Sequence, residues 1–202
     1  MIDFVAVFIF FFSVIDPIGT VPVFMAVTSS YSEKAKRKIA VRAVLIAALI
    51  LLFFVVVGEP MLKAIGIPLP AFEIAGGIVL FLFALTMIFG ESKPEQEVKM
   101  ISSETEAAVF PLAIPSIASP GAILAAVLQT ENAKFSIVEQ VQVTAMMLVV
   151  LAIVLVLLLS STFVHRLIGS AGASLISRVM GLILSAVAVS SVLSGITTYF
   201  NL

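Results

Sequence analysis

The stretch Ser13-Val14-Ile15-Asp16-Pro17-Ile18-Gly19-Thr20-Val21-Pro22 decides the fold, because it sets an acid, a glycine and two prolines inside an apolar run that begins at Phe4. Each proline lacks an N–H and clashes with the carbonyl four residues back, on Ser13 and on Ile18, and the residue before each is pushed out of the α region. A second stretch, Pro111-Leu112-Ala113-Ile114-Pro115-Ser116-Ile117-Ala118-Ser119-Pro120-Gly121, carries three prolines and a glycine in a similar setting. Backbone groups freed at membrane depth cannot face lipid, where each unmet group costs on the order of several kcal/mol, so both breaks must face protein or a polar cavity.

The setting is a bilayer. Of 202 residues, 61% are hydrophobic and 11% charged, whereas a soluble domain charges about a quarter of its residues. A spanning helix needs about 20 residues to cross roughly 30 Å of hydrocarbon, and charge-poor stretches at 4–28, 39–57, 71–89, 107–130, 141–162 and 179–200 supply six. The expected fold is an all-α polytopic membrane protein, a single transmembrane domain over 1–202 with no room for a separate soluble unit. Having no Cys, the chain has no disulfide scaffold, Fe–S cluster or thiolate site, and His165 alone cannot build a multi-His centre, so no metal site is expected. A net charge of −1 offers no surface for nucleic acid, and no phosphate-binding G-x-x-x-x-G-K-[ST] loop is present. No Lys or Arg precedes Lys34 and no small-residue cleavage site stands out, which argues against a secretory signal at the start.

Loop charge predicts sidedness, since short positive loops stay cytoplasmic. The loops after spans one, three and five carry Lys34, Lys36, Arg37, Lys38, Lys93, Lys99, Arg166 and Arg178, with Arg42 adjacent, against Lys63 and Lys134 on the opposite side. Both termini are therefore expected outside the cytoplasmic membrane. The polar segment 91–106 reads as a cytoplasmic linker between repeat one (1–90) and repeat two (107–202). Asp16-Pro17 and Ser119-Pro120 are 103 residues apart, as are Ile65-Gly66 and Ile168-Gly169, while Gly77 and Gly181 are 104 apart. Three spans per half is an odd number, so the two repeats would be inverted, an arrangement common in secondary transporters.

Asp16 falls midway along the first span, where an ionised Asp facing lipid costs about 2.5–3.5 kcal/mol on insertion scales. Asp or Ser before Pro also fits a helix N-cap with proline at the first helical position, so each broken span, helices one and four of the six, is expected to restart near Pro17 and Pro120. A half-helix start offers N–H groups to an anion, and the preceding end offers carbonyls to a cation. The candidate binding residues are Asp16, Ile18, Gly19, Thr20, Ser119, Gly121, Ala122 and Ile123, with Pro17, Pro22, Pro115 and Pro120 making the breaks. A zwitterion would set its carboxylate at 119–123 and its ammonium near Asp16 and the carbonyls of 13–15. On that reading Asp16→Asn loses transport, while Ser119→Ala keeps much of it.

Asp16-Pro17-Ile18-Gly19-Thr20-Val21-Pro22-Val23-Phe24 resembles the D-P-x-G-x-x-P-x-F signature of MarC family membrane proteins, and Pro115-Ser116-Ile117-Ala118-Ser119-Pro120-Gly121-Ala122-Ile123 is similar to that family's P-x-x-x-G-P-G-x-I. Phe72-Glu73-Ile74-Ala75-Gly76-Gly77 extends the likeness, which covers essentially the whole chain. Ser119 departs from the family's usual Gly. The resemblance to the family's small neutral amino-acid transporters implies glycine- or alanine-like substrates, with an antibiotic pump the weaker inference.

Glu73, near a span end, reads as an interfacial anchor or a coupling-proton carrier. Gly76, Gly77, Gly181, Ser185, Ser190, Ser191, Ser194 and Gly195 read as small packing faces or, alternatively, as a source of hydrogen bonds to substrate, and His165 reads as interfacial, with pH sensing its alternative; a homo-oligomer is compatible with all of this. An intramembrane enzyme would want an activated nucleophile or carboxylate cluster, for which Asp16 without an embedded His or Cys is poor equipment. The expected function is a secondary transporter of small neutral amino acids working by alternating access, with no cofactor beyond a coupling proton or sodium ion. Another small solute or ion, a channel, or a membrane-embedded partner subunit are the alternatives.

Overall fold

The computed structural model describes residues 2–89, 103–132 and 134–201, and these are helical with short connections. Helix α1 (Phe4–Ile15) starts at Asp3, whose carboxylate caps the N–H groups of Val5 and Ala6. Helix α2 (Thr20–Val27) resumes the same span after the first break. Then come α3 (Glu33–Ala64) and α4 (Leu69–Phe89). In the second half, α5 (Glu104–Ile117) and α6 (Pro120–Leu128) form a pair bent by 59°, followed by α7 (Ile137–Leu159) and α8 (Ser161–Phe200). Among the described residues five helices are long and apolar enough to cross a membrane, counting α1 with α2 as one, and the bent pair makes a sixth.

Several ends differ from the sequence reading. The 32 residues of α3 extend about 48 Å at 1.5 Å per residue, well beyond roughly 30 Å of hydrocarbon. The cations Lys34, Lys36, Arg37 and Lys38 are therefore not loop residues but the projecting first turns of α3, capped by Ser32 and supported by a 2.8 Å Lys36–Glu33 ion pair. Arg178 and Ser177 lie within the sixth span, which begins at Ala171 rather than 179, and His165 and Arg166 belong to the two turns of α8 that precede Gly169. Most of the predicted linker 91–106 lies outside the described residues, and from Ser103, which caps Glu106, the chain is already helical.

One face of α3 is buried at Ile39, Ala43, Ala47 and Leu51, spaced every four residues, while Leu45, Leu49 and Val56 on other faces are more than half exposed. A helix apolar all round suits a bilayer, where packing rather than hydropathy distinguishes its faces.

The two halves answer each other in detail. Gly66 and Gly169, the pair 103 apart, both take a positive φ (72° and 68°) and turn the chain toward the third span of their half. Helix α3 packs on α5 and α6, as α7 packs on α1 and α2, and α4 lies along α8. Within that last contact, a Cβ on Gly77 would meet the carbonyl of Ala188 at 2.9 Å, and one on Gly181 would meet the carbonyl of Ala84 at 3.0 Å. Both members of each pair step by 104 residues, so the contact is reciprocal, as a two-fold relation between halves requires.

Candidate functional site

The first break is built on Asp16. Its N–H still bonds Phe12 O, closing α1, but its backbone is left-handed (φ 46°, ψ 67°), a conformation that Asp tolerates better than most residues. From there its Oδ1 accepts the N–H of Gly19 at 3.0 Å, and its carbonyl accepts both the N–H and the hydroxyl of Thr20. The carbonyl of Ile18 takes the N–H of Val21. Asp16 is thus the C-cap of α1 and bridges to the start of α2, which resumes at Thr20 and not at Pro17 as expected. Pro22 falls in the first turn of α2, where a missing N–H costs nothing. Gly19 has to be glycine, because its Cβ would sit 1.9 Å from Asp16 Oδ2.

The second break conforms more closely to its motif. Phe110 and Ile114, each preceding a proline, are extended (φ/ψ −132°/129° and −129°/129°), which interrupts α5 twice. Ser119 is the N-cap of α6 with Pro120 at its first position, accepting the N–H of Ala122 at 3.1 Å, while its carbonyl takes the N–H of Ile123.

These two breaks touch. The Ser119 hydroxyl donates to Val14 O at 2.8 Å, in full burial, so one side chain caps α6 and satisfies a carbonyl that the first break has freed. Gly121 lies against Leu80 of α4 and Val14 of α1, close enough that a Cβ would meet Leu80 Cδ1 at 2.3 Å. Ala122 is fully buried. The proposed carboxylate position at 119–123 is therefore filled here by the protein's own groups: the N–H groups of Ala122 and Ile123 are both bonded to Ser119.

Sequence reasoning missed the third wall. Ser177 of α8 donates its hydroxyl to Asp16 Oδ2 at 3.1 Å, and the Ser13 hydroxyl approaches Met180 Sδ at 3.7 Å. The small-residue pattern around Gly181 marked this helix as closely packed, but nothing local to Ser177 pointed 161 residues back. Helix α8 thus closes the first break and α4 closes the second.

The broken span α5–α6 is also tied to α3 at both ends. Lys38 pairs with Glu104 at 3.4 Å and Arg42 donates to Thr105 at 3.3 Å. At the far end, the buried Glu59 carboxylate accepts the backbone N–H and side-chain amide of Asn132 at 2.8 and 2.7 Å and pairs with Lys63. Among the described residues no cluster of His, Asp or Glu could hold a metal ion.

Six spans, two of them interrupted and joined at their interruptions, define a multi-pass integral membrane protein with broken helices. A model described as MarC family integral membrane protein matches residues 1–200, and the chain belongs to that family. It is 39% identical to the UPF0056 membrane protein MJ1677 of Methanocaldococcus jannaschii, over 96% of this chain and 95% of that one. It is 34% identical to a UPF0056 membrane protein of Archaeoglobus fulgidus and 33% identical to one of Aquifex aeolicus, each over 96% of this chain and 92% of the relative. No solved structure matches it.

Proposed function

We propose that this protein is a secondary transporter of small neutral amino acids, glycine- or alanine-like, in the cytoplasmic membrane, and not an enzyme. The observation that carries the reading is the 2.8 Å bond from Ser119 to Val14, which brings both helix breaks and the Asp16 carboxylate to one place inside the bundle. Substrate ammonium would replace Ser177 or Gly19 at Asp16, and its carboxylate would take the N–H groups at the start of α6 once Ser119 and Leu80 withdraw. A net intramolecular hydrogen bond is worth about 0.5–1.5 kcal/mol, so thermal motion can open such a junction. Inverted halves rocking about it would expose it to each side in turn, with both termini outside and a proton or sodium gradient as the energy source.

Reconstitution into liposomes with labelled glycine and alanine tests this. Saturable, mutually competing uptake is the expected result. No uptake under a proton gradient, a sodium gradient or counter-loaded substrate would remove the carrier reading in favour of a channel or a partner subunit.

A further inference from the structure

A cavity of about 550 Å³ lies at the end of the bundle that holds the start of α1. On each of four helices its wall stands seven residues from the junction of the breaks: Val7 leads to Val14 on α1, Glu73 to Leu80 on α4, Leu128 to Gly121 on α6, and Val187 to Met180 on α8. Seven residues are two turns, about 10 Å, so the cavity is stacked on the junction, to which the Leu80–Gly121 contact belongs.

Three charged side chains line it. Asp3 spends Oδ1 on the N–H groups of Val5 and Ala6, and Lys134 pairs with Glu131 at 3.0 Å. Glu73 is different. It is only 9% exposed, yet it lines the cavity and makes no hydrogen bond or ion pair with another described residue. Its oxygens are not sealed in the core but open on the cavity, where they can accept from an ammonium group or from water. Opposite, Ser190, Ser191 and Ser194 present a face of α8, and Gln129 and Lys134 add donors suited to a carboxylate.

We propose that this cavity is an outer binding site for small molecules bearing a primary ammonium group, with Glu73 as the group that receives the ammonium. Its use as a waiting position for a zwitterion on the way to the breaks rests on the transport reading; the ammonium site itself does not. Glu73 is then a ligand-binding group rather than an interfacial anchor, and the serine stripe of α8 is the polar wall of a binding site.

The absence of cysteine makes the test direct. In full-length protein purified in detergent, Ser190→Cys supplies a single thiol at the cavity wall, and its maleimide labelling rate is followed with added ligands. Ethylamine and glycine should slow labelling and propionate should not. Glu73→Gln, which keeps size and shape, should weaken protection by the amines about tenfold or more. Equal protection by propionate, no protection by either amine, or protection indifferent to Glu73→Gln would overturn the proposal, and the ligand series with Glu73 intact decides it even if the variant is unstable. Uptake separates the two readings. Glycine transport with a KM unchanged by Glu73→Gln discards the waiting position and keeps the carrier, whereas Glu73-dependent protection in a protein that moves no glycine keeps the ammonium site and discards the carrier.

Discussion

The Ser119 hydroxyl and the Val14 carbonyl, 2.8 Å apart and fully buried, couple the two halves at the point where each is broken. The donor belongs to the start of one half-helix and the acceptor to the end of another, so neither break is satisfied by its own half alone. Any movement that separates the halves at the junction has to break this bond.

Ser119→Ala therefore does more than remove a cap. It leaves the N–H of Ala122 and the Val14 carbonyl without their partner in a buried site. Cap loss typically costs about 1 kcal/mol and a buried unsatisfied acceptor about 1–3 kcal/mol. The transition in detergent should fall by roughly 5 °C or more, and transport should fall with it. From sequence alone this substitution is expected to be mild; the bond to Val14 is the reason for revising that. Ser119→Thr, which keeps the hydroxyl, should recover most of the stability if its methyl is accommodated. Equal thermal transitions for wild type and Ser119→Ala would show that the bond contributes nothing.

Asp16→Asn separates charge from architecture. Asn keeps an oxygen for the Gly19 N–H and tolerates left-handed backbone as well as Asp does, and the Ser177 hydroxyl can turn to accept from the new amide. Thermal stability should change by less than about 1 kcal/mol, whereas uptake should fall at least tenfold because the ammonium loses its counter-charge. Asp16→Ala should lose both. Uptake by Asp16→Asn at the wild-type rate would reduce Asp16 to a cap.

What was legible in the sequence is what depends on neighbours in the chain. The prolines mark both interruptions, Ser119-Pro120 forms the cap its residue types favour, and Ile65-Gly66 and Ile168-Gly169 mark equivalent turns. Asp16 is less legible, because D-P suits an N-cap locally while the structure makes Asp16 the C-cap of α1 and anchors its carboxylate with Ser177, far along the chain. The start of α3 is not legible from apolar periodicity, which begins only at Ile39; Lys, Arg and Ala are strong helix formers, so the helix reaches back through the charged turns to Glu33. Glu73 reads locally as a span-end anchor or a coupling-proton carrier, and it takes the facing stripe of α8 to make it the wall of a cavity.

Glu59 offers a test of how the second broken span is held. Its carboxylate is buried and serves both donors of Asn132, whose own side-chain oxygen accepts from Gln140 at 3.1 Å. Glu59→Ala removes both charge-assisted bonds, leaving the exposed Asn132 to water, and frees the connection between α6 and α7 from α3, at a cost of about 1.5–3 kcal/mol. Amide exchange at Asn132 and in the first turn of α7 should accelerate at least tenfold, with little change at Ser119. Exchange that quickens equally at both places would mean that Glu59 supports the whole bundle rather than this connection.

The reciprocal glycines make a quantitative claim about symmetry. Gly77 and Gly181 each bring α4 and α8 close enough that a methyl would meet a carbonyl of the other helix at 2.9–3.0 Å, tighter than ordinary van der Waals contact. Gly77→Ala and Gly181→Ala should each force the helices apart and destabilise the protein by a similar amount, about 1–3 kcal/mol. Gly→Ala within a helix otherwise gains about 1 kcal/mol, so a net loss at both sites isolates the packing term. Because either methyl opens the same interface, the second should cost less than the first, and the double variant should fall short of the two single losses added together. Full additivity in thermal unfolding would mean that the two contacts yield independently, and the α4–α8 seam would then not behave as one symmetric unit.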